Sequence, residues 1–155
     1  MQNPPPVQPG YEAPTGNPPP PGTPKSGVGL EPNIAAALSY IWIVGVISYL
    51  LEKENRFLRF HAMQSILFGI ANSLIMMVLA VVALVLTFAF GIGGAMAGGT
   101  LGSIVSLLIW LMWMLFWVIG LALFAILIFS AVKAYQGQKF KLPIIGNMAE
   151  KIVNK

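Results

Sequence analysis

The chain has 155 residues, of which 57% are hydrophobic and 9% charged, and its formal net charge is +4 at pH 7. Soluble globular domains carry roughly 25% charged residues, so this composition excludes an ordinary soluble domain. The absence of cysteine excludes disulfides and thiolate metal sites, and the small, scattered positive charge gives no reason to expect nucleic acid binding.

Residues 1–32 form the first segment and hold eleven of the twelve prolines. Such a composition cannot bury enough apolar surface to offset the entropy of ordering, which predicts a disordered Pro-rich tail. Residues 6–9 and 21–24 match the PxxP pattern of ligands for proline-recognising domains, although a solvated tether is the favoured interpretation. The tail lacks a basic region followed by an apolar stretch, so no cleavable signal peptide is predicted.

Residues 34–51 form the next segment, an apolar run that we predict to be a short transmembrane helix. At 1.5 Å per residue it measures about 27 Å, which barely spans a bilayer, and a re-entrant or interfacial helix stays open as the alternative. Asn33 is a candidate N-cap, and Gly45 could permit a break in the helix. Asn55 and Asn147 are candidate N-caps of the second long segment's helix and of a short last helix.

The most informative segment is residues 62–132, a run of 71 positions without Asp, Glu, Lys, Arg or His. Two apolar stretches, 62–90 and 104–132, flank the Gly-rich stretch 91–103, which predicts a hairpin of two long transmembrane helices joined by a Gly-rich loop. The predicted fold class is therefore an all-α integral membrane protein with three transmembrane helices and short interfacial helices. We place this helical domain at residues 33–152, with 153–155 as the C-terminal end.

The cations on either side of the hairpin predict its topology. Lysine and arginine occur in residues 52–61 and again from Lys133 to the C-terminus, whereas the Gly-rich loop has none. The positive-inside rule then places residues 52–61 and the C-terminus in the cytoplasm and the loop 91–103 outside a multi-pass cell membrane protein. The expected partners are the lipid bilayer and, at the cytoplasmic face, anionic lipid headgroups. The side of the N-terminal tail stays open.

Small and aromatic residues at helical spacing suggest packing surfaces within the hairpin. Ser65, Gly69 and Ser73 recur every four residues and could form a helix-packing seam through which the chain homo-oligomerises, although chance spacing is the alternative. A stripe of Trp110, Trp113 and Trp117 is interpreted as a packing or lipid-facing surface.

The types of residue present argue against catalysis. Intramembrane chemistry usually requires ionisable groups in a protected cavity, and residues 62–132 offer none. The chain has one histidine, His61, and no phosphate-binding or dinucleotide motif. We therefore predict that the protein is not an enzyme and has no catalytic, cofactor or metal site.

Five short elements resemble the landmarks of a known family. They are PNIAAALSY at 32–40, LEKEN at 51–55, RFHAMQS at 59–65, AYQG at 134–137 and FKLPIIG at 140–146. The chain resembles a small prokaryotic membrane-protein family of unknown function that is labelled as similar to the Tic subunit of plastid inner-envelope protein import. The resemblance implies a structural or assembly subunit like a component of a protein-import translocon, with no catalytic residues.

Two of these elements fall on the same predicted side of the membrane. We expect Arg59, His61 and Gln64 to contact the tail at Lys141, Pro143 and Gly146, forming a polar cytoplasmic cap. The functional alternative to an assembly subunit is a small channel or carrier for a small solute or peptide. That alternative requires polar residues to converge on a pore, the candidates being Ser39, Ser48, Asn72 and Ser106.

Overall fold

The computed structural model describes residues 26–154, and their regular structure consists of five α-helices. In chain order these are α1 (Pro32–Leu38), α2 (Trp42–Leu51), α3 (Arg56–Ala97), α4 (Gly99–Tyr135) and α5 (Ile145–Val153). The prediction of an all-α fold is confirmed. The Pro-rich sequence up to residue 25, including both PxxP patterns, lies outside the described residues.

The apolar run 34–51 is two helices rather than one. α1 ends at Leu38, Ile41 adopts an extended conformation with φ −78° and ψ 109°, and α2 then begins at Trp42. The break is stabilised because the hydroxyl of Ser65 donates a hydrogen bond to the carbonyl of Ser39 at 2.6 Å. The expected single helix is therefore wrong, and Gly45 is not the point of the break.

The start of α1 also differs from the prediction. Pro32 occupies the beginning of the helix and Glu31 the N-cap position, so Asn33 is not the cap. Proline suits the first helical position because the amide that it lacks would have no partner there. Part of the segment 26–31, which the sequence assigned to the tail, contacts the helices: Ser26 is buried and the amide of Gly27 donates to Glu52 at 2.7 Å.

α3 and α4 have 42 and 37 residues, and each is long and apolar enough to cross a membrane. α1 and α2 are too short to satisfy the same criterion, so a third span is not established. The predicted Gly-rich loop 91–103 is wrong, because both helices continue into it and meet at Gly98. Gly98 and Gly99 have φ of +59° and +52°, values that glycine adopts without strain.

The other glycines of this stretch serve close helix approach. A Cβ atom on Gly102 would lie 2.7 Å from the carbonyl oxygen of Gly94, and one on Gly94 would lie 2.8 Å from the side chain of Val105. The glycines therefore allow α3 and α4 to touch backbone to backbone, as small residues do in membrane helices.

The chain divides into two compact units. Among the described residues, 26–69 and 127–154 form one, here called the polar unit, and Ile70–Ile126 form the other, here called the apolar unit. The core of the polar unit contains Ala35, Ala36, Tyr40, Leu58 and Ala134. In the apolar unit only Ala83 and Gly94 are buried, and most large apolar side chains are exposed. Extended exposed apolar surface of this kind is expected where lipid is the solvent.

Candidate functional site

A cluster of buried polar side chains in the polar unit is the candidate functional site. It begins on the first turns of α3, where Asn55 caps the helix by accepting the amide of Leu58 at 3.1 Å, as the sequence predicts. His61, Gln64 and Ser65 follow at i, i+3 and i+4 and so share one helix face. His61 and Gln64 are fully buried, and Ser65 nearly so.

The side-chain amide of Gln64 lies at the centre of this cluster. Its Nε2 donates to the hydroxyl of Tyr40 at 2.7 Å and to the carbonyl of Phe140 at 3.1 Å. Its Oε1 accepts the amide of Leu142 at 3.1 Å. One side chain thus connects α3 to the α1–α2 turn and to the backbone on either side of Lys141. We call this arrangement the Gln64 clamp.

Gly146 permits the tail to close over the clamp. A Cβ atom there would lie 2.9 Å from Oε1 of Gln64 and equally close to Cα of Lys141. The structure therefore brings together Gln64, Lys141 and Gly146 from the predicted polar cap. Pro143 is exposed and contributes through its carbonyl, which accepts the amide of Ile145 at 2.7 Å. The ammonium of Lys141 points to Glu150, with which it pairs at 2.7 Å.

His61 completes the buried cluster. Its Nδ1 lies 3.1 Å from the hydroxyl of Tyr40, and its ring packs edge-on against Phe57 and Phe60. Because the Tyr40 oxygen accepts a hydrogen bond from Nε2 of Gln64, its own O–H can donate to Nδ1 of His61. The Nε2 atom is buried without a hydrogen bond of standard geometry, and the backbone of Gln138 lies beside the ring. His61 thus faces the tail through Gln138 and not through residues 141–146.

Arg59 does not join the cluster. Its guanidinium donates to the carbonyl of Lys53 at 3.5 Å and lies over the ring of Tyr49 at 5.3 Å. Arg59 therefore contacts the α2–α3 connection. Among the described residues it makes no contact of the predicted kind with the tail.

The predicted packing seam separates into different environments. Ser65 is used inside the chain, where its hydroxyl bonds to the carbonyls of Ser39 and Ala62 beside Gly45. Gly69 has no heavy atom within 4 Å of a Cβ position, and Ser73 is exposed. Ser65 is therefore not available to a second copy, whereas Gly69 is open.

Two of the four residues considered for a pore are bonded locally, whereas the hydroxyl of Ser48 is buried without a hydrogen-bond partner. The hydroxyl of Ser39 donates to the carbonyl of Ala36 at 2.6 Å, and that of Ser106 to the carbonyl of Gly102 at 2.9 Å. The polar unit contains a cleft of about 320 Å³. Its lining is apolar apart from the tyrosines, and it includes Leu38, Leu127 and Val132. These features give no support to a polar pore.

Glu52 is a second polar centre, one that the sequence did not reveal. Its carboxylate is buried and accepts the amides of Gly27 at 2.7 Å and of Glu54 and Asn55 at 3.1 Å. Burial alone would raise the pKa of Glu52, but these backbone hydrogen bonds together lower it below its ordinary value. Glu52 therefore fastens the segment before α1 to the start of α3.

Tyr40, Ser130 and Phe140 are the members of the cluster that the sequence analysis missed. Ser130 bonds to the hydroxyl of Tyr40 from α4. Tyr40 and Phe140 lie within PNIAAALSY and FKLPIIG, two of the elements that carry the family resemblance. Residue spacing could not predict that the Tyr40 hydroxyl and the Phe140 carbonyl would both accept hydrogen bonds from Gln64.

Comparison with known proteins places these features in a family. The model of the magnetosome magnetite crystal formation protein family matches residues 31–149, which include α1 to α4 and the clamp. The chain belongs to this family. The match begins at Glu31, beside the N-cap of α1, and so leaves the Pro-rich tail outside the family region.

Curated relatives of this family member are named as membrane proteins. A UPF0132 membrane protein of Methanocaldococcus jannaschii is 38% identical over 81% of this chain and 92% of its own length. A second from that organism is 30% identical over 80% of this chain and 71% of its length. One from Archaeoglobus fulgidus is 31% identical over 78% of this chain and 94% of its length. No solved structure matches significantly.

These matches confirm a small prokaryotic membrane-protein family without an established function. A membrane location for this chain follows from the relatives and from the two long apolar helices. The expected similarity to the plastid Tic subunit receives no support from these relatives, and the translocon role that it implied has no support either.

Proposed function

We propose that this protein is a non-enzymatic integral membrane subunit with a structural or assembly role. The observation that carries the proposal is the Gln64 clamp. The side-chain Nε2 of Gln64 donates to Tyr40 and Phe140, and its Oε1 accepts from Leu142, so every partner belongs to the chain itself. The polar groups of the cluster thus close the fold and are not presented to a substrate.

The same unit is proposed to lie at the cytoplasmic face. The cations of residues 52–61 and the lysines after α4 support this orientation, with the turn at Gly98 on the outer side. Their clustering also supports contact with anionic lipid headgroups, which attract juxtamembrane cations.

The family name refers to magnetite crystal formation. Within residues 26–154 the structure has no group of three or more His, Cys, Asp or Glu side chains that could hold a metal ion. The structure therefore adds no support for direct iron binding by these residues, and the proposal keeps to a scaffold role.

Assembly is proposed to involve a second copy approaching Gly69, where the helix surface is open. The test is the mass of the protein in mild detergent, measured by light scattering after size exclusion. We expect the natural chain to form particles larger than one chain and Gly69→Leu to reduce them to monomers.

The matched control is Gly93→Leu, the same substitution at another glycine with open space around it. This variant should keep the mass of the natural particle. Monomers from the natural chain, in detergent and after crosslinking in native membranes, would contradict the assembly role.

A further inference from the structure

Ile144 has an unusual backbone conformation for a residue with a side chain. Its φ is 66° and its ψ −61°, and the amide of Ile145 bonds to the carbonyl of Pro143 at 2.7 Å. These values define the γ-turn of positive φ, which is rare and strained. Within residues 26–154, Ile144 is the one non-glycine residue with positive φ. A β-branched side chain is especially unfavourable in that region.

The side chain of Ile144 gains little inside the chain to offset this strain, since it is 75% exposed. Met148 and Ile152 follow at i+4 and i+8 and are 49% and 38% exposed. Met148 and Ile152 lie one turn apart on the same side of α5, and Ile144 precedes the helix. These three exposed apolar residues are here called the α5 strip. The opposite side is fixed, because Ala149 and Val153 are buried. Packing therefore directs the α5 strip away from the protein.

The C-terminal segment that carries the α5 strip has a net positive charge. From Lys133 to Asn154 the chain has four lysines and one glutamate, a formal charge of +3. The glutamate, Glu150, is paired with Lys141 at 2.7 Å and Lys139 at 3.6 Å, and these contacts lower its pKa. Lys151 is exposed and follows Glu150 on α5.

We propose that the α5 strip inserts into the headgroup region of an anionic lipid bilayer. An apolar helix face bordered by lysines is the pattern of helices that lie in the membrane interface. A strained backbone conformation persists where the surrounding structure fixes it, and such residues are often found at functional sites. Here Pro143 and the close packing of Gly146 fix the turn, and lipid provides the contact that Ile144 lacks.

A second copy of the chain fits this surface less well. Three partly exposed side chains on a nine-residue helix fall far short of the roughly 800 Å² per partner that a stable protein interface buries. The inference rests on the proposed position of the tail at an anionic membrane surface, and its test separates the two.

The test uses the full chain, which has no native cysteine. Single variants Met148→Cys, Asn147→Cys and Gln136→Cys are labelled with the environment-sensitive fluorophore NBD. Each is reconstituted into phosphatidylcholine vesicles with or without phosphatidylglycerol. We expect the label at 148 to be quenched by doxyl groups near the lipid headgroups and protected from aqueous iodide. The label at the exposed residue 147 should stay accessible to iodide.

The label at residue 136 reports the position of the tail independently of α5. If 136 lies near the headgroups but 148 is as accessible as 147, insertion of the α5 strip is wrong and the proposed position of the tail at the membrane surface stands. If all three labels are remote from lipid, that position is wrong as well. Protection of 148 that depends on the protein-to-lipid ratio, without lipid quenching, would assign the strip to a second copy and overturn the inference.

The variant Ile144→Gly separates insertion from folding. Glycine removes both the strain and the apolar side chain, so the turn should be no less stable in detergent. Losing one inserted isoleucine should weaken the lipid-docked state about tenfold, measured as lipid quenching of the label at 148. Ile144→Leu keeps the apolar volume and should retain the quenching. Quenching by lipid that is unchanged in Ile144→Gly would overturn the inference.

Discussion

The polar unit and the apolar unit are built from the same two long helices but are stabilised by different interactions. In the polar unit, His61, Gln64, Ser39 and Ser130 are completely buried and linked to partners distant in the sequence. In the apolar unit, Ala83 and Gly94 are the buried residues. The contrast shows that specific long-range hydrogen bonds define the structure of the polar unit. The apolar unit instead presents the exposed apolar surface that suits a lipid environment.

The apolar unit depends on close backbone approach. Where lipid surrounds a protein, hydrophobic burial gives little drive for helices to associate, and packing of small residues takes its place. Gly94 and Gly102 provide that packing, and the indole of Trp113 adds a hydrogen bond to Thr87 at 3.1 Å. The other tryptophans of the predicted stripe, Trp110 and Trp117, are exposed, consistent with a lipid-facing role.

The largest effect is expected from removing the Gln64 clamp. Gln64→Leu leaves the Phe140 carbonyl and the Leu142 amide buried without partners, and should lower the free energy of unfolding by about 2–4 kcal/mol. Chemical denaturation in detergent micelles measures this change. Ser106→Ala, which removes an exposed hydroxyl bonded within its own helix, is the control and should change stability by less than about 0.5 kcal/mol. Equal effects of the two substitutions would erase the contrast between the units.

The next effect belongs to the apolar unit. Gly102→Ala places a methyl group 2.7 Å from the Gly94 carbonyl and should destabilise the protein by about 1–3 kcal/mol. Gly93→Ala, in open space on α3, should be neutral or stabilising by up to about 1 kcal/mol because alanine favours helix. Thermal unfolding of the two variants in one detergent compares them. A Gly102→Ala protein as stable as Gly93→Ala would show that the helices do not need this contact.

A smaller effect is expected at Tyr40. Tyr40→Phe keeps the ring in the core but removes the hydroxyl that bonds Gln64 and His61, and should cost about 1–2 kcal/mol. In a double variant with Gln64→Leu the cost should be less than additive, because the two side chains share a hydrogen bond. Full additivity would mean that the phenol contributes independently of the clamp.

The smallest effect concerns Glu52 and depends on pH. Its pKa is lowered in the folded protein, so its stabilising contribution is present at neutral pH and is lost as the pH falls through that lowered pKa. Glu52→Gln should reduce the free energy of unfolding by about 1 kcal/mol at pH 7. In acid the natural chain and the variant should converge. A difference that persists or grows in acid would contradict this account of the Glu52 hydrogen bonds.

The sequence predicts the all-helical fold and the two long helices because their signal is compositional. A charge-free run and its flanking cations need no tertiary information to interpret. The same is true of the Asn55 cap, which depends on residues three positions apart. The contact of Gln64 with the tail is suggested by shared sidedness alone, and the structure places those groups together.

The remaining features depend on contacts that composition cannot report. The break after Leu38 requires Ser65 to take the Ser39 carbonyl, a pairing across 26 residues. The glycines of 91–103 predict a loop when only local flexibility is considered, yet their missing side chains allow two helix backbones to meet. The predicted cap at Asn147 is wrong for a similar reason, since the strained turn at Ile144 places the N-cap of α5 three residues earlier.

The Gln64 clamp also imposes an order on biosynthesis. Gln64 leaves the ribosome long before its partners, because Phe140 and Leu142 lie 76 and 78 residues further along the chain. Until the last turn of α4 and the residues after it have been made, the amide has no tail to bind. The clamp therefore closes only after residues 140–142 have been made, when the chain already contains both long helices.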